Sequence, residues 1–353
     1  MPLFLRLLPA CLLLATPADG VPFTSPRLEA VTSWVGNTYG GGTKWVQQDI
    51  HALTVTADGT VFTNVPWDEA GGNAGEYRDG ELVRHALHTH GWGYEGGEAV
   101  ACNSRYVFIA GEVANEGGGL KSPDSWPPKG CRWIGVSRRL RQDLSQPAPF
   151  DGGKGGQGDT LKSAFLVTGE MPDTSKEHIP GLCADEQRLY VADPLANRIR
   201  IYSTESMREL SAWPVERTGP LAIDPHGLIW LLQRKTADSP ARLLRYDADG
   251  KPQGQPLTLD PAIVPAAFCL AGDGRVLIAD DSPAQQVRIF SVAAEALKEE
   301  GRFGEPGGIF SGTPGAFGER KFNHLSALGC DAQDNLYVAH DGQSGGGGTV
   351  LES

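Results

Sequence analysis

Segments with the apolar periodicity of an amphipathic helix are nearly absent from this chain, and this excludes a helical bundle. The one candidate, residues 292–303 (VAAEALKEEGRF), is better interpreted as the end of a strand. Hydrophobic residues make up 40% of the 353 residues and charged residues 21%, a balance typical of a folded globular protein rather than a disordered one. The 46 Gly and 25 Pro have no collagen-like period and indicate many tight turns. We therefore expect an all-β fold.

Basic residues are also scarce. Lys and Arg number 31 against 43 Asp and Glu, which gives a formal net charge of −12. Affinity for phosphate backbones comes mainly from cationic contacts, so the composition predicts no nucleic-acid partner. The single basic cluster, residues 137–143 (SRRLRQD), is interpreted as a solvated strand face.

A strongly apolar run occurs at the start of the chain. Residues 1–20 (MPLFLRLLPACLLLATPADG) contain one Arg and an apolar stretch interrupted by proline, and they end in small residues. This pattern predicts a secretory signal peptide and is too short for a membrane span. We expect a secreted or periplasmic protein that has no membrane-spanning segment.

What the sequence does contain is repetition. Residues 182–203 (LCADEQRLYVADPLANRIRIYS), 268–291 and 329–353 share an order of short apolar strand, polar turn, β-branched strand, small polar loop and further strand. Residues 52–83 and 221–247 follow the same order more loosely. Repeats of about 40–50 residues with several strands each are typical of a β-propeller.

The spacing of the second strand in each repeat gives an estimate of the number of blades. These strands begin near Val61, Val107, Leu189, Leu228, Val276 and Leu336. The interval of 82 residues after Val107 is assigned to one blade with insertions, because residues 115–130 and 150–160 are rich in Gly and Pro. We predict six blades, with seven as the alternative. The last blade is expected to be incomplete or to be closed by an N-terminal strand from residues 28–45.

Residues 322–341 (FNHLSALGCDAQDNLYVAHD) and 191–203 (VADPLANRIRIYS) resemble NHL repeats. The resemblance covers roughly residues 46 to 353, and the motif is degenerate in several repeats. It implies an NHL-type propeller over residues 46–353, after a signal peptide at 1–20 and an N-terminal segment at 21–45. Asp193 and Asp280 are expected to stabilise their loops by accepting backbone hydrogen bonds.

The cysteines recur with the repeats, at Cys102, Cys183, Cys269 and Cys330. Equivalent positions in neighbouring blades are expected to lie too far apart for a disulfide, so we predict buried single thiols. Only Cys102 with Cys131, within one long repeat, is a candidate pair. No C-x-x-C motif occurs, which argues against a structural zinc site.

Connections that lead into the innermost strands of a propeller open onto its central channel. The polar side chains that the sequence places there are His51, His90, Glu98 and His324. Imidazole and carboxylate ligands suit Zn, Mn or Ca, so these four are the candidate metal ligands. The alternative is that they are solvated histidines near loops.

A second candidate site combines aromatic, acidic and polar side chains in loops that differ between repeats. Its members are Trp67, Asp68, Glu69, Trp92, Tyr94, Glu95, Glu112, His340 and Asp341. An aromatic face stacks on a sugar ring while polar groups bond its hydroxyls, so the composition favours carbohydrate recognition. Ordinary loop capping and solvation are the alternative.

We therefore predict a secreted propeller that binds a carbohydrate, peptide or protein ligand on its loop face. The alternative is a metal-dependent hydrolase or lyase, similar to gluconolactonase-like propellers or the NHL-type amidating lyase, with its site in the central channel. A third reading is an interaction module of a longer secreted polypeptide. The sequence offers no convincing set of Ser, His and Asp for nucleophilic catalysis, and no catalytic residue is assigned.

Overall fold

The computed structural model describes residues 47, 49–66, 72–87, 94–114, 127–155, 161–316, 318, 320–342 and 350–352. These residues form six antiparallel sheets, each built from consecutive strands. At 94–95 and 350–352 the description covers the backbone alone.

The strands follow the sequence repeats. Sheet 1 contains β1 (Ala52–Val55), β2 (Val61–Asn64), β3 (Ala74–Arg78) and β4 (Glu81–Ala86). Sheet 2 contains β5 (Tyr94–Cys102), β6 (Tyr106–Ala114), β7 (Cys131–Leu140), β8 (Asp143–Pro147) and β9 (Phe165–Pro172). Sheet 3 contains β10 (Leu182–Ala184), β11 (Arg188–Asp193), β12 (Arg198–Ser203) and β13 (Glu209–Pro214).

Sheet 4 contains β14 (Leu221–Ile223), β15 (Ile229–Gln233), β16 (Arg242–Tyr246) and β17 (Leu257–Thr258). Sheet 5 contains β18 (Pro265–Leu270), β19 (Val276–Asp280), β20 (Gln286–Ala293) and β21 (Ala296–Phe303). Sheet 6 contains β22 (Leu325–Cys330), β23 (Leu336–His340) and β24 (Val350–Glu352), and a short 3₁₀ helix, Gly308–Phe310, precedes it.

The sheets pack face to face in a closed ring. The first strand of each sheet contacts the first strand of the next, in the order β1, β5, β10, β14, β18, β22 and back to β1. A hydrophobic cluster fills each of the six junctions. Second strands are buried on both faces, as in Leu189–Ala192 where every residue is 0% exposed. This explains why these strands are continuously apolar.

The junction between sheets 6 and 1 joins distant parts of the chain. Its cluster includes Ile50, Leu53 and Ala339. The Ser326 hydroxyl donates to the carbonyl of Ile50 at 2.6 Å. Packing and hydrogen bonding therefore complete the ring here.

The all-β propeller prediction is confirmed, but the predicted count of six or seven blades is wrong. Five blades are complete sheets of four or five strands, and sheet 6 has three described strands. The count differs because the sixth repeat, whose completeness the sequence left open, has too few described strands to count as a complete blade. The long interval after Val107 holds a single sheet, as expected, and its insertion supplies the extra strand β9, which pairs with β7. Residues 28–45, the predicted closing strand, lie outside the described residues.

The expected loop contacts of the repeat aspartates are present. Asp193 accepts hydrogen bonds from the backbone N–H groups of Leu195 and Ala196 at 3.1 and 3.0 Å. Asp280 accepts one from Ser282 at 3.1 Å. These residues fix the loops that follow the second strands.

The prediction of single thiols is confirmed: Cys102, Cys131, Cys183, Cys269 and Cys330 are all free, and the alternative pair of Cys102 with Cys131 is not formed. The expectation that cysteines of neighbouring repeats lie too far apart to meet is wrong for one pair. The Sγ atoms of Cys269 and Cys330 lie 3.4 Å apart across the junction of sheets 5 and 6. The two cysteines are close because they lie one register position apart and point towards each other.

Among the described residues, no helix has the length and apolarity needed to cross a membrane.

Candidate functional site at the channel mouth

The first strands surround a narrow central channel with a cavity of about 70 Å³. Small and apolar side chains dominate its wall, and the polar side chains that line it are His51, Glu98 and Ser326. Pockets that enclose a drug-sized ligand have volumes of about 300–1,000 Å³. A ligand of that size would therefore bind at an end of the channel rather than inside it.

One end of the channel brings together several of the predicted site residues, and we call this end the channel mouth. The first strands begin there, and because neighbouring strands are antiparallel, the second strands end there. His51 and His324 immediately precede β1 and β22, while His340 and Asp341 lie at the end of β23. Of these four residues, His51 is among those that line the channel cavity.

Two histidines and two aspartates at the mouth form a chain of contacts in which imidazole and carboxylate groups alternate. We call this chain the Asp341 cluster, and its members are His51, Asp281, His324 and Asp341. Asp341 Oδ1 is hydrogen-bonded to His324 Nδ1, and its Oδ2 lies 3.5 Å from His51 Nε2. His324 Nε2 lies 3.5 Å from Asp281 Oδ2. The Asp341 side chain is 5% exposed, whereas those of His51 and His324 are 33% and 42% exposed. A buried carboxylate therefore holds two imidazoles that still face solvent.

Gln285 fixes this geometry from sheet 5. Its Oε1 accepts the backbone N–H of His324 at 2.7 Å, and its Nε2 donates to Asp281 Oδ1 at 2.8 Å. The backbone N–H of Asp341 donates to the carbonyl of His324 at 3.1 Å. His324 adopts a left-handed φ of 61°, a conformation uncommon for non-glycine residues. The local hydrogen bonds hold it there, which turns its ring towards Asp341.

The cluster shifts the protonation of its members. Burial opposes the charged form of His324, but the hydrogen bond and charge of Asp341, with the charges of Asp281 and Asp49, outweigh burial and raise the pKa of His324. Burial raises the pKa of Asp341, against the effects of His324 and His51. The pair can therefore hold or release a proton in a partly buried setting.

A second charged group at the same end, the Glu112 cluster, consists of Glu112, Arg132 and His178. Buried Glu112 forms an ion pair with Arg132 through one oxygen and a hydrogen bond to His178 through the other. Arg132 also donates to the carbonyl of Glu177 at 2.8 Å. The Glu112 hydrogen bond raises the pKa of His178 despite burial, and the charge of Glu98 adds to this effect. Glu98 thus connects the channel wall electrostatically with the Glu112 cluster.

The predicted metal ligands converge only in part. His51 and His324 contact the same carboxylate, and Glu98 lines the channel with His51. Within the described residues no group of three or more His, Cys, Asp or Glu is arranged to hold a metal ion. His90, the fourth candidate, lies outside the described residues.

The predicted ligand-binding residues divide into four groups. Asp341 contacts His324 in the Asp341 cluster, and the carboxylate of Glu112 is engaged in an ion pair with Arg132. His340 is 5% exposed and packs edge-on against Phe322, so its ring is buried beside the mouth and does not face solvent there. Tyr94 and Glu95 lie at the start of β5, where the backbone alone is described. Trp67, Asp68, Glu69 and Trp92 fall outside the described residues.

Sequence reasoning missed His178, Arg132 and Gln285. His178 lies in the connection that leads into β10, the same kind of position that singled out His51 and Glu98, so the rule could have found it. Arg132 and Gln285 gave no such signal, because their roles depend on contacts with residues 20 and 39 positions away.

No family model matches the chain, and no curated protein matches its sequence. Solved structures do resemble its fold. A Thermus thermophilus protein described as a putative oxidoreductase (glucose dehydrogenase) aligns at a TM-score of 0.51 and 16% identity, covering 92% of this chain and 98% of its own.

A second structure, described as glucose dehydrogenase, aligns at a TM-score of 0.50 and 14% identity over 87% of this chain and 96% of its own. A Bacteroides thetaiotaomicron protein of unknown function gives 0.51 and 11% over 90% of this chain and 73% of its own. At such identities the likeness shows the propeller fold alone.

Proposed function

We propose that this protein binds a small hydroxylated ligand, a carbohydrate, at the channel mouth. The observation that carries the proposal is the Asp341 cluster, in which two half-exposed imidazoles share one buried carboxylate. Sugar hydroxyls both donate and accept hydrogen bonds, and an array of imidazoles and carboxylates offers both partners. The cavity behind the mouth is small, so the ligand rests across the mouth.

Charge and orientation support this site over the opposite end of the channel. Asp341 and Asp281 fix the two histidine rings, so little side-chain entropy is lost on binding. The raised pKa of His324 keeps its imidazole charged to a higher pH than usual, and a charged donor strengthens a hydrogen bond to a hydroxyl. Peptide and protein ligands are the other classes to be tested against the same surface.

Isothermal titration calorimetry against a panel of mono- and oligosaccharides and short peptides tests the proposal. His324→Ala and His51→Ala are each expected to weaken carbohydrate binding about 10- to 100-fold, the loss of one hydrogen bond to a charged group. His226→Ala is the matched control, because His226 is exposed in the turn before β15, at the opposite end of the channel. Equal affinity in all three variants would contradict the proposed site.

A second candidate function is catalysis on the same ligand. The hydrogen-bonded His324 and Asp341, both with raised pKa, form a pair suited to general acid–base chemistry. Two structural neighbours described as glucose dehydrogenases support a sugar as the substrate to test. A metal-dependent hydrolase or lyase at the channel is the form of this candidate that would also use Glu98.

Turnover and metal content separate the two candidates. Purified protein is assayed for oxidation of glucose with an artificial electron acceptor and for hydrolysis of sugar lactones, and its Ca, Zn and Mn content is measured. Catalysis predicts turnover that Asp341→Asn abolishes, and the metal-dependent form predicts bound metal that Glu98→Ala removes. If the protein is free of metal, binds saccharide without turnover, and has a Glu98→Ala variant that binds normally, the result supports the binding function and contradicts catalysis.

A further inference from the structure

The junction between sheets 5 and 6 holds two thiols whose proximity no part of the proposed function uses. The Sγ atoms of Cys269, in β18, and Cys330, in β22, lie 3.4 Å apart. A disulfide has an S–S length of about 2.05 Å, so the sulfurs need to approach by roughly 1.4 Å. We propose that Cys269 and Cys330 form a disulfide that links sheets 5 and 6 when the chain folds under oxidising conditions.

The register of the two strands explains why this pair can meet. Cys269 pairs with Leu277 and Cys330 with Leu336, so Cys269 is one position further from its turn than Cys330. Successive side chains of a strand point to opposite faces, so Cys269 points towards sheet 6 and Cys330 towards sheet 5. Both lie in or against the hydrophobic cluster between these sheets.

The same alternation of side-chain direction places the other two repeat cysteines in different junctions. Cys102 packs in the cluster between sheets 1 and 2, and Cys183 in the cluster between sheets 3 and 4. These thiols point away from each other although their sheets are adjacent. The geometry is thus specific to Cys269 and Cys330.

A neighbouring contact holds the two turns in place. The backbone N–H of Gly272, in the turn after β18, donates to Asp334 Oδ1, in the turn after β22, at 2.7 Å. This bond lies just beyond the two cysteines and ties the same ends of the same strands. The two turns next to the cysteines are therefore held together by a hydrogen bond that does not require the disulfide.

The reaction balances with a disulfide oxidant such as oxidised glutathione. One cysteine thiolate attacks oxidised glutathione, which forms a mixed disulfide and releases one glutathione thiolate. The second cysteine thiolate then displaces the other glutathione, so the two cysteines lose two protons and two electrons and two reduced glutathione molecules are formed. Mutual hydrogen bonding and burial raise the pKa of Cys269, which slows attack in the folded state. We expect the bond to form during folding, and the predicted secretory signal would deliver the chain to a compartment where disulfides persist.

The test is refolding of the reduced full chain with oxidised glutathione, followed by alkylation, digestion and peptide mapping by mass spectrometry. We expect a cross-linked peptide that contains Cys269 and Cys330, with the other cysteines alkylated. Reduction of the refolded protein should lower its Tm by about 5–10 °C, the size expected for a cross-link that closes a loop of about 60 residues.

Two variants make the result specific. Cys330→Ala should show no cross-link and no change of Tm on reduction, whereas Cys183→Ala, which removes a buried thiol from another junction, should behave as the parent does. Complete alkylation of Cys269 and Cys330 in protein that has fully refolded with the oxidant would overturn the proposal, as would a cross-link between other cysteines. Peptide mapping of the parent decides the matter even if Cys330→Ala fails to fold.

Discussion

At the scale of single residues, the sequence indicated which side chains belong to the mouth but not how they pair. His51, His324 and Asp341 were each identifiable from their position next to a first or second strand. Their shared contact could not be predicted, because it brings together residues at opposite ends of the described chain. His340 and Asp341 show the limit most clearly: they are adjacent, yet one packs against Phe322 and the other binds two histidines.

His340 provides a prediction about acid stability. Burial lowers its pKa from the ordinary 6.5 to about 4. Between these values the unfolded chain binds a proton at His340 that the folded protein does not, so stability is present above pH 6.5 and lost as the pH falls towards 4. The loss is on the order of 3 kcal/mol. Urea denaturation from pH 4 to 7 should show a smaller pH dependence for His340→Gln, while exposed His226→Gln should match the parent; identical slopes would contradict this.

At the scale of strands, the short runs of apolar residues predicted the second strands well, but the irregular starts of the first strands were not visible. β5, β18 and β22 each contain a register shift near the channel mouth. In β5 the shift lies between Gly96 and Val100 and leaves Glu98 exposed on the channel. Such bulges re-aim side chains and depend on packing against the neighbouring sheet, so a period-2 pattern does not reveal them.

Asn64, at the end of β2, carries a prediction for the junction of sheets 1 and 2. It is fully buried, and its Nδ2 donates to the carbonyls of Ala99 and Ala110 at 2.9 and 2.8 Å. Asn64→Ala leaves both carbonyls without this donor and should lower the free energy of unfolding by about 1–3 kcal/mol. Chemical denaturation measures the change, with Ser211→Ala on the exposed face of β13 as the neutral control. A loss no larger than that of the control would show that water replaces the amide.

At the scale of the whole molecule, the repeats predicted the propeller because each one encodes a sheet with two apolar faces. The junction that closes the ring could not be predicted, because it depends on how the first and last repeats fit together. Gly329 in β22 shows how the junction of sheets 6 and 1 differs from the others. It pairs with Tyr337, as Cys183 pairs with Tyr190 and Cys269 with Leu277, so glycine replaces the cysteine of the other repeats. Sheet 1 approaches so closely here that a side chain has no room.

Gly329→Ala therefore tests how tightly the ring is closed. A Cβ atom at this position would lie 2.4 Å from Val55 Cγ2 and 2.7 Å from Leu53 Cδ1, so these two side chains of β1 would have to shift. Overpacking of this kind costs about 1–3 kcal/mol, and Tm should fall while unfolding stays a single transition, since the other five junctions are unchanged. Gly301→Ala in β21 is the matched control, because no heavy atom lies within 4 Å of its added Cβ. If both variants melt together, the junction of sheets 6 and 1 is looser than its contacts indicate.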